Sequence, residues 1–131
     1  VGVAVGHVGE NQRGAAPVPY RMQGLLDHLG PRVEQARAAG VREVIVDPNL
    51  GIIHPDTDDA AKIHLQNGIL WNLAALRVLG CPILLYAARK PEPLARLLFA
   101  SNVLFAGADW IRTHHPDLIQ ALQGAAAAVE R

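Results

Sequence analysis

Polar side chains stand at the end of each of four short apolar runs in this chain. In sequence order they are His7, Asp47, the pair Arg89 and Lys90, and the pair Arg112 and His114. A single carboxylate can bind two adjacent N–H donors of a heterocycle in a bidentate, charge-assisted contact. Arg112 and His114 are two residues apart, so in an extended strand both side chains leave the same face and together favour an anion. These residue types could therefore hold a polar ring and a negatively charged group.

Each of these residues also has a purely structural interpretation. Asp47 precedes the turn-forming stretch Pro48-Asn49-Leu50-Gly51, where a carboxylate often accepts backbone N–H bonds. The basic pair after the third run could belong to an ordinary solvated loop, and Arg112 could pair with Asp109 or Asp117. The spacing alone leaves both interpretations open.

Composition and motif content argue against several classes of function. The 131 residues carry 12 Lys and Arg against 12 Asp and Glu, which provides no basic field for a nucleic acid. The GxGxxG, Walker, GxSxG and HExxH patterns do not occur, which argues against nicotinamide, P-loop, serine hydrolase and zinc protease chemistry. One cysteine, Cys81, and six scattered histidines predict no metal site. We therefore expect a small-molecule or protein partner.

The chain has no apolar run long enough to cross a membrane, which needs roughly 18 residues. The length favours one domain over residues 1–131, and the lone cysteine is compatible with a reducing compartment, so a cytoplasmic location is expected. The opening VGVAVGHVGE has neither an initiator methionine nor the basic region of a secretory signal. We interpret it as sequence from the middle of a longer protein.

Short apolar runs alternate with helical patterns, and this alternation is the main signal of fold class. The runs predict strands over about 1–7, 43–47, 82–87 and 110–113, and the second of these is expected to be covered on both faces. The intervening patterns predict helices from Met22 to Gly40, from an N-cap at Thr57 or Asp58 to about Leu79, from Pro91 to Gly107, and from Pro116 to Val129.

Four consecutive strand-helix units with right-handed crossovers predict an α/β fold with a parallel sheet. The sheet is expected to be half of a TIM-type (β/α)8 barrel, with a small open parallel sheet as the alternative. In both architectures ligands bind at the carboxyl ends of the strands, where the polar residues lie. We call that edge the rim.

Three motifs follow one another with consistent spacing. Asp47-Pro48-Asn49-Leu50-Gly51-Ile52 is similar to Asp-Pro-Gly-x-Gly-Phe and is followed by Lys62 and Asn67 as a Lys-x4-Asn step. Tyr86-Ala87-Ala88-Arg89-Lys90 is similar to Gly-Ala-Ser-Arg-Lys, and the stretch from Gly107 to His114 is similar to Gly-Ala-x-x-x-Arg-Val-His. In this order they resemble the C-terminal half, strands five to eight, of the dihydropteroate synthases and their pterin-binding relatives, which are (β/α)8 barrels.

The resemblance implies a transferase of folate biosynthesis that condenses hydroxymethyl-dihydropterin pyrophosphate with p-aminobenzoate. It implies that Asp47 binds the pyrimidine-like edge of the pterin, that Lys90 contacts the pterin and borders the p-aminobenzoate site, and that Arg112 and His114 hold the pyrophosphate. Lys90, Arg112 and His114 are thereby the catalytic candidates. The further rim residues are His7, Asn49, Gly51 and Arg89. No cofactor is expected to be tightly bound, and Mg²⁺ is expected with its ligands mainly in the other half of the barrel.

The chain departs from the family pattern at several positions. Asn49 replaces the first glycine of the sixth-strand motif, which asparagine tolerates because it accepts left-handed backbone angles. Ile52 replaces an aromatic residue, the stretch 53–61 is an insertion, and Ala88 and Pro91 replace serines that commonly flank the basic pair. We therefore expect the p-aminobenzoate subsite to depart further from the family pattern than the pterin subsite.

Nothing in the chain matches the N-terminal half of the family. We therefore expect this piece to be inactive alone and to pair either with a second copy or with the missing half, because a half-barrel leaves an apolar face exposed. Two alternatives remain: a methyltetrahydrofolate-binding methyltransferase, against which the basic rim residues argue, and a diverged, non-catalytic pterin-binding homologue.

Overall fold

The structure, a computed structural model, describes residues 2–6, 21–50, 58–87, 90 and 92–129. Strands and helices alternate along the chain, as the sequence predicts. The elements are β1 (Gly2–Gly6), α1 (Met22–Ala38), β2 (Glu43–Asp47), α2 (Asp59–Trp71), a 3₁₀ helix (Leu73–Leu79), β3 (Leu84–Ala87), α3 (Pro93–Phe105), β4 (Trp110–Thr113) and α4 (Pro116–Val129).

The four strands lie side by side and parallel, in the order β1, β2, β3, β4. β1 pairs with β2 with Gly6 opposite Asp47, and β3 pairs with β4 with Tyr86 opposite Arg112. A parallel bridge between Val46 and Ile83 joins the two pairs, and the Val46 N–H donates to the carbonyl of Pro82 at 2.9 Å. The predicted parallel arrangement is therefore confirmed, and the strand ends meet at one rim.

The two faces of the sheet differ in burial. Val44, Val46 and Leu85 are buried in the core, whereas Ile45 and Leu84 on the opposite face are only half-buried and Trp110 is 58% exposed. Because side chains alternate between faces along a strand, Asp47, Tyr86 and Arg112 share the less buried face. The expectation that β2 is covered on both faces is wrong, since only its helix-facing side is fully buried.

Helix α1 forms for the reason that its apolar spacing predicts. Leu25, Leu29 and Val33 repeat at intervals of four and are buried in the core. The helix ends at Ala38, and Gly40 follows with φ of 87°, a left-handed angle that glycine adopts at low cost. The predicted stop at Gly40 is confirmed.

The second predicted helix is two segments. Asp58 is the N-cap, and its carboxylate accepts the Ala61 N–H at 2.9 Å, as expected. The α-helix ends at Trp71 rather than at Leu79 because the Asn72 side chain donates to the carbonyl of Gly68, which the Asn72 backbone would otherwise bind. The Asn72 N–H donates instead to the carbonyl of Ile69, three residues earlier, and the chain continues as a 3₁₀ helix.

Helix α3 starts after Glu92, whose carboxylate accepts the Ala95 N–H at 2.8 Å. Its sequence is apolar around most of its circumference, so periodicity does not identify the buried face. The buried residues are Phe99, Ala100 and Val103, while Leu94, Leu98 and Phe105 are more than half exposed. None of the described helices is long and apolar enough to cross a membrane.

Candidate functional site

The turn after β2 fixes the Asp47 carboxylate. Asp47 is half-buried, and one carboxylate oxygen accepts the Asn49 N–H at 2.7 Å. Asn49 has φ of 60°, the left-handed conformation that the sequence predicts asparagine to tolerate here. Leu50 is fully buried and anchors the turn. Asp47 thus caps its turn through one oxygen, and this role occupies only part of its acceptor capacity.

Arg112 lies at the rim beside an aromatic ring. Its guanidinium carbon is 4.9 Å from the ring centre of Tyr86, its partner in the pairing of β3 with β4. The His114 ring meets the same tyrosine edge-on, with ring centres 5.9 Å apart and planes at 77°. Arg112 and His114 therefore lie close together, as predicted, because both side chains contact the Tyr86 ring.

Asp47 and Arg112 interact electrostatically across the rim. Burial raises the pKa of Asp47 above its ordinary value, and the Asn49 N–H and the positive charge of Arg112 partly oppose this rise. The carboxylate and the guanidinium therefore form a common polar surface on the less buried face of the sheet.

The alternative in which Arg112 pairs with Asp109 is wrong. Asp109 forms a 2.6 Å ion pair with Arg77, and the same carboxylate oxygen accepts the Ile83 N–H at 2.8 Å. These two donors, the backbone N–H first, hold the pKa of Asp109 below its ordinary value. Asp109 thus joins the 3₁₀ helix to the beginning of β3, at the opposite end of the strands from the rim.

Lys90 is held by a second group of side chains. Its Nζ donates to Oε1 of Gln66 at 3.0 Å and lies 4.6 Å from the ring centre of Phe99. Nε2 of Gln66 donates in turn to the carbonyl of Leu50 at 2.6 Å. Lys90 therefore connects to the turn after Asp47 through Gln66.

Two residues of this arrangement, Gln66 and Tyr86, were not predicted from the sequence. Gln66 is 4% exposed and occupies the apolar stripe of α2, three and four residues before Ile69 and Leu70. A polar side chain in a buried stripe was the signal that could have identified it. Tyr86 could have been found as the one polar-tipped aromatic in an otherwise aliphatic strand.

Three of the predicted rim residues, His7, Gly51 and Arg89, lie outside the described residues, as do the substituted positions Ile52, Ala88 and Pro91. Within the described part of the chain, no three His, Cys, Asp or Glu side chains converge as metal ligands. The expected Mg²⁺ site therefore gains no ligand set from these residues.

An open cleft of about 460 Å³ lies beside His114, between the first turns of α3 and α4. The residues lining it are Pro93, Arg96, Leu97, His114, His115, Pro116, Asp117 and Leu118. The His115 N–H donates to the hydroxyl of Thr113, and no described group bonds its buried Nε2. The cleft adjoins the rim on the side of β4.

Comparison with solved structures reveals the fold to which this arrangement belongs. The chain is similar to the dihydropteroate synthase of Coxiella burnetii in complex with pteroic acid, with 19% identity and a TM-score of 0.65 over 92% of this chain and 50% of that one. It is also similar to the dihydropteroate synthase of Clostridium difficile in the presence of pteroic acid, with 24% identity and a TM-score of 0.62 over 95% of this chain and 48% of that one. No family model matches the chain, and no curated protein matches it.

The chain spans about half the length of the solved structures it matches. Those structures are TIM barrels, and four parallel strands with their helices correspond to part of such a barrel. The resemblance that the three motifs indicated is confirmed at the level of fold: this chain has the fold of part of a TIM barrel and is similar in structure to these dihydropteroate synthases.

Proposed function

We propose that this chain supplies half of the barrel of a dihydropteroate synthase-like transferase of folate biosynthesis. The reaction joins hydroxymethyl-dihydropterin pyrophosphate to p-aminobenzoate. In the proposal Asp47 binds the pterin ring, Lys90 lies beside the ring and the second substrate, and Arg112 and His114 hold the pyrophosphate.

The observation that carries the proposal is the presence of opposite charges on one face of the sheet at the rim. Asp47 ends β2, and Arg112 lies one residue before the end of β4, with β3 between the two strands. The two side chains share the less buried face of the sheet and interact electrostatically. A half-buried carboxylate suits two N–H donors of a flat heterocycle, and an exposed guanidinium beside it suits a phosphate tail. Ligands of parallel α/β sheets bind at this edge.

The chemistry needs positioning and charge rather than a nucleophile from the protein. The bond between the pterin methylene carbon and the pyrophosphate oxygen breaks, the amine nitrogen forms a bond to that carbon, and the amine loses a proton. Arg112 and His114 would stabilise the negative charge that grows on the leaving group. Asp47 and Lys90 would orient the ring so that the methylene faces the amine.

Calorimetric titration of a barrel completed with its other half tests the proposal. We expect a pterin to bind, and pterin pyrophosphate to bind more tightly than the bare pterin. In the Asp47→Asn variant both ligands should bind more weakly by about 1–3 kcal/mol, because the heterocycle keeps a donor with a poorly matched partner.

The Arg112→Ala variant separates the two subsites. It should weaken pterin pyrophosphate and leave the bare pterin nearly unchanged, whereas an equal loss for both ligands would contradict the assignment of Arg112. A folded barrel that binds no pterin would overturn the proposal. If the bare pterin and pterin pyrophosphate bind with equal affinity, a methyl-transfer reaction would be favoured instead.

A further inference from the structure

Gln66 occupies an unusual place for a polar side chain. It lies in the middle of α2, one turn before the core residue Leu70, and is only 4% exposed. A buried amide without partners would cost more than one hydrogen bond contributes, so its contacts must account for its position.

Both ends of the Gln66 amide bind residues at the rim. Nε2 donates to the carbonyl of Leu50 at 2.6 Å, and Oε1 accepts from Lys90 at 3.0 Å. The two contacts determine the orientation of the amide, because a flipped amide would place its oxygen against the Leu50 carbonyl and its NH₂ against the ammonium. One side chain thus links the turn that carries Asp47 to the cation that follows β3.

Phe99 completes the setting of the lysine. The ring is buried and lies beneath the ammonium at 4.6 Å. A cation held between a ring face and an amide oxygen has fewer accessible positions than a lysine on an open surface. Gln66 and Phe99 therefore limit where the Lys90 ammonium can point.

We propose that Gln66 is a positioning residue, which ties the ammonium of Lys90 to the turn bearing Asp47 so that the two groups keep one relative geometry. The link between Gln66, Lys90 and Leu50 is independent of the reaction. Its consequence for ligand binding rests on the function proposed above.

The link can be tested by NMR because the chain has two lysines, Lys62 and Lys90. Selective ¹³Cε labelling of lysine gives two signals, which a Lys90→Arg variant assigns. We expect the Lys90 Hε protons upfield of those of Lys62, because the adjacent Nζ lies over the Phe99 ring at 4.6 Å from its centre. In Gln66→Met, which keeps the length of the side chain and removes both hydrogen bonds, the Lys90 signal should move toward that of Lys62.

Two further variants keep the test decisive. Gln66→Glu retains an acceptor for the lysine and should preserve the upfield shift. Gln35→Met makes the same substitution at an exposed position of α1 and should leave both lysine signals unchanged. A Lys90 signal that stays at its wild-type position in Gln66→Met would overturn the proposal. Loss of the upfield shift in Gln66→Glu, with the fold intact by circular dichroism, would overturn it as well.

Ligand binding tests the consequence separately. In the completed barrel, Gln66→Met should weaken pterin binding about tenfold, which corresponds to about 1.4 kcal/mol, because Lys90 would no longer be held in one position beside the ligand. Wild-type affinity in Gln66→Met, with the Lys90 signal moved, would refute the role in binding and leave the proposed function standing. A wild-type barrel that binds no pterin would refute the proposed function, and the lysine signals would still decide whether Gln66 positions Lys90.

Discussion

At the scale of single residues, the charge state of Asp47 connects stability with binding. Burial is the main influence and raises the pKa of Asp47 above the ordinary value of 3.8. The folded chain therefore binds more protons than the unfolded chain between 3.8 and the raised pKa, so the free energy of unfolding falls as pH rises through that interval. Ionised Asp47 is thus a cost to the stability of the fold at neutral pH.

Replacing Asp47 should accordingly stabilise the chain. In Asp47→Asn the amide oxygen can still accept the Asn49 N–H, and the partly desolvated charge is gone. We expect a higher free energy of unfolding at pH 7 and a smaller decline above pH 3.8, measured by urea denaturation across a pH series. A less stable variant at pH 7 would mean that the attraction of Arg112 outweighs desolvation.

The same pKa predicts the pH dependence of ligand binding. A carboxylate must be ionised to accept two N–H donors, so pterin affinity in the completed barrel should fall as pH falls through the raised pKa of Asp47. Calorimetric titrations at several pH values measure this. The slope should disappear in Asp47→Asn, and persistence of the slope there would assign it to another group.

Tyr86 offers a test of how Arg112 is oriented. In Tyr86→Leu the guanidinium loses the ring it lies against, and a contact of this kind is worth about 0.5–1 kcal/mol at an exposed site. The affinity for a pyrophosphate-bearing pterin should fall by about two- to fivefold. Tyr86→Phe keeps the ring and should bind like the wild type. Equal losses in both variants would implicate the hydroxyl instead.

At the scale of elements, Asp109 joins the beginning of β4 to two segments that lie 26 and 32 residues earlier in the chain. Its carboxylate binds Arg77 of the 3₁₀ helix and the Ile83 N–H, and its own N–H donates to the carbonyl of Ile83. Asp109→Ala leaves the Ile83 N–H without its partner and should lower the free energy of unfolding by about 1–3 kcal/mol. Asp109→Asn keeps an acceptor and loses mainly an exposed ion pair, which is worth about 0–1 kcal/mol.

Urea denaturation of the two variants measures the difference, and equal destabilisation would mean that the ion pair rather than the backbone bond carries the effect. The pH dependence has the opposite sign to that of Asp47. Because the pKa of Asp109 is lowered, its stabilisation is present above its ordinary pKa of 3.8 and is lost as pH falls through the lowered value.

Elements with a clear local signal were predictable from the sequence. β2 and β4 have the predicted bounds because each is a short apolar or β-branched run between breakers, and Gly40 and Gly107 stop helices with positive φ as expected. The end of α2 was not predictable, because it depends on the Asn72 side chain competing for a backbone carbonyl. The buried face of α3 was not either, since apolar residues surround most of the helix.

The candidate site shows the same division. Asp47, Arg112 and His114 could be placed because strand ends and the alternation of faces determine where they lie. Gln66 and Tyr86 make contacts between elements that are distant in sequence, and no local sequence pattern predicts those contacts. The pairing of Asp109 with Arg77 rather than Arg112 belongs to the same class of long-range choice.

At the scale of the whole molecule, the less buried face of the sheet leaves apolar side chains accessible for association. Ile45 and Leu84 are half-buried there, and Trp110 is 58% exposed. Apolar surface of this kind favours association. We propose that this face packs against the remaining half of a barrel, with a second copy of the chain as the alternative occupant.

Light scattering after size-exclusion chromatography tests the role of that face. The chain should self-associate with rising concentration, and Trp110→Lys should reduce the association by about tenfold or more, since it places a charge in an apolar contact. Trp71→Lys alters a tryptophan that is 74% exposed on the helical side and should have little effect. A monomer at all concentrations, or an equal effect of both variants, would show that this face does not drive association and would exclude a second copy as its occupant.

The single bridge between Val46 and Ile83 has a mechanical consequence. Each outer strand pair has a ladder of at least four residue pairs, but the described contact between the two ladders is that one bridge and the Val46 to Pro82 bond. Transient opening begins where the fewest backbone bonds must break, so the Val46 amide should exchange its proton with solvent before its neighbours in the ladder do. A barrel containing this chain would then flex between β2 and β3, along a line that runs toward Asp47 at the rim. Such motion would change the width of the opening at the rim.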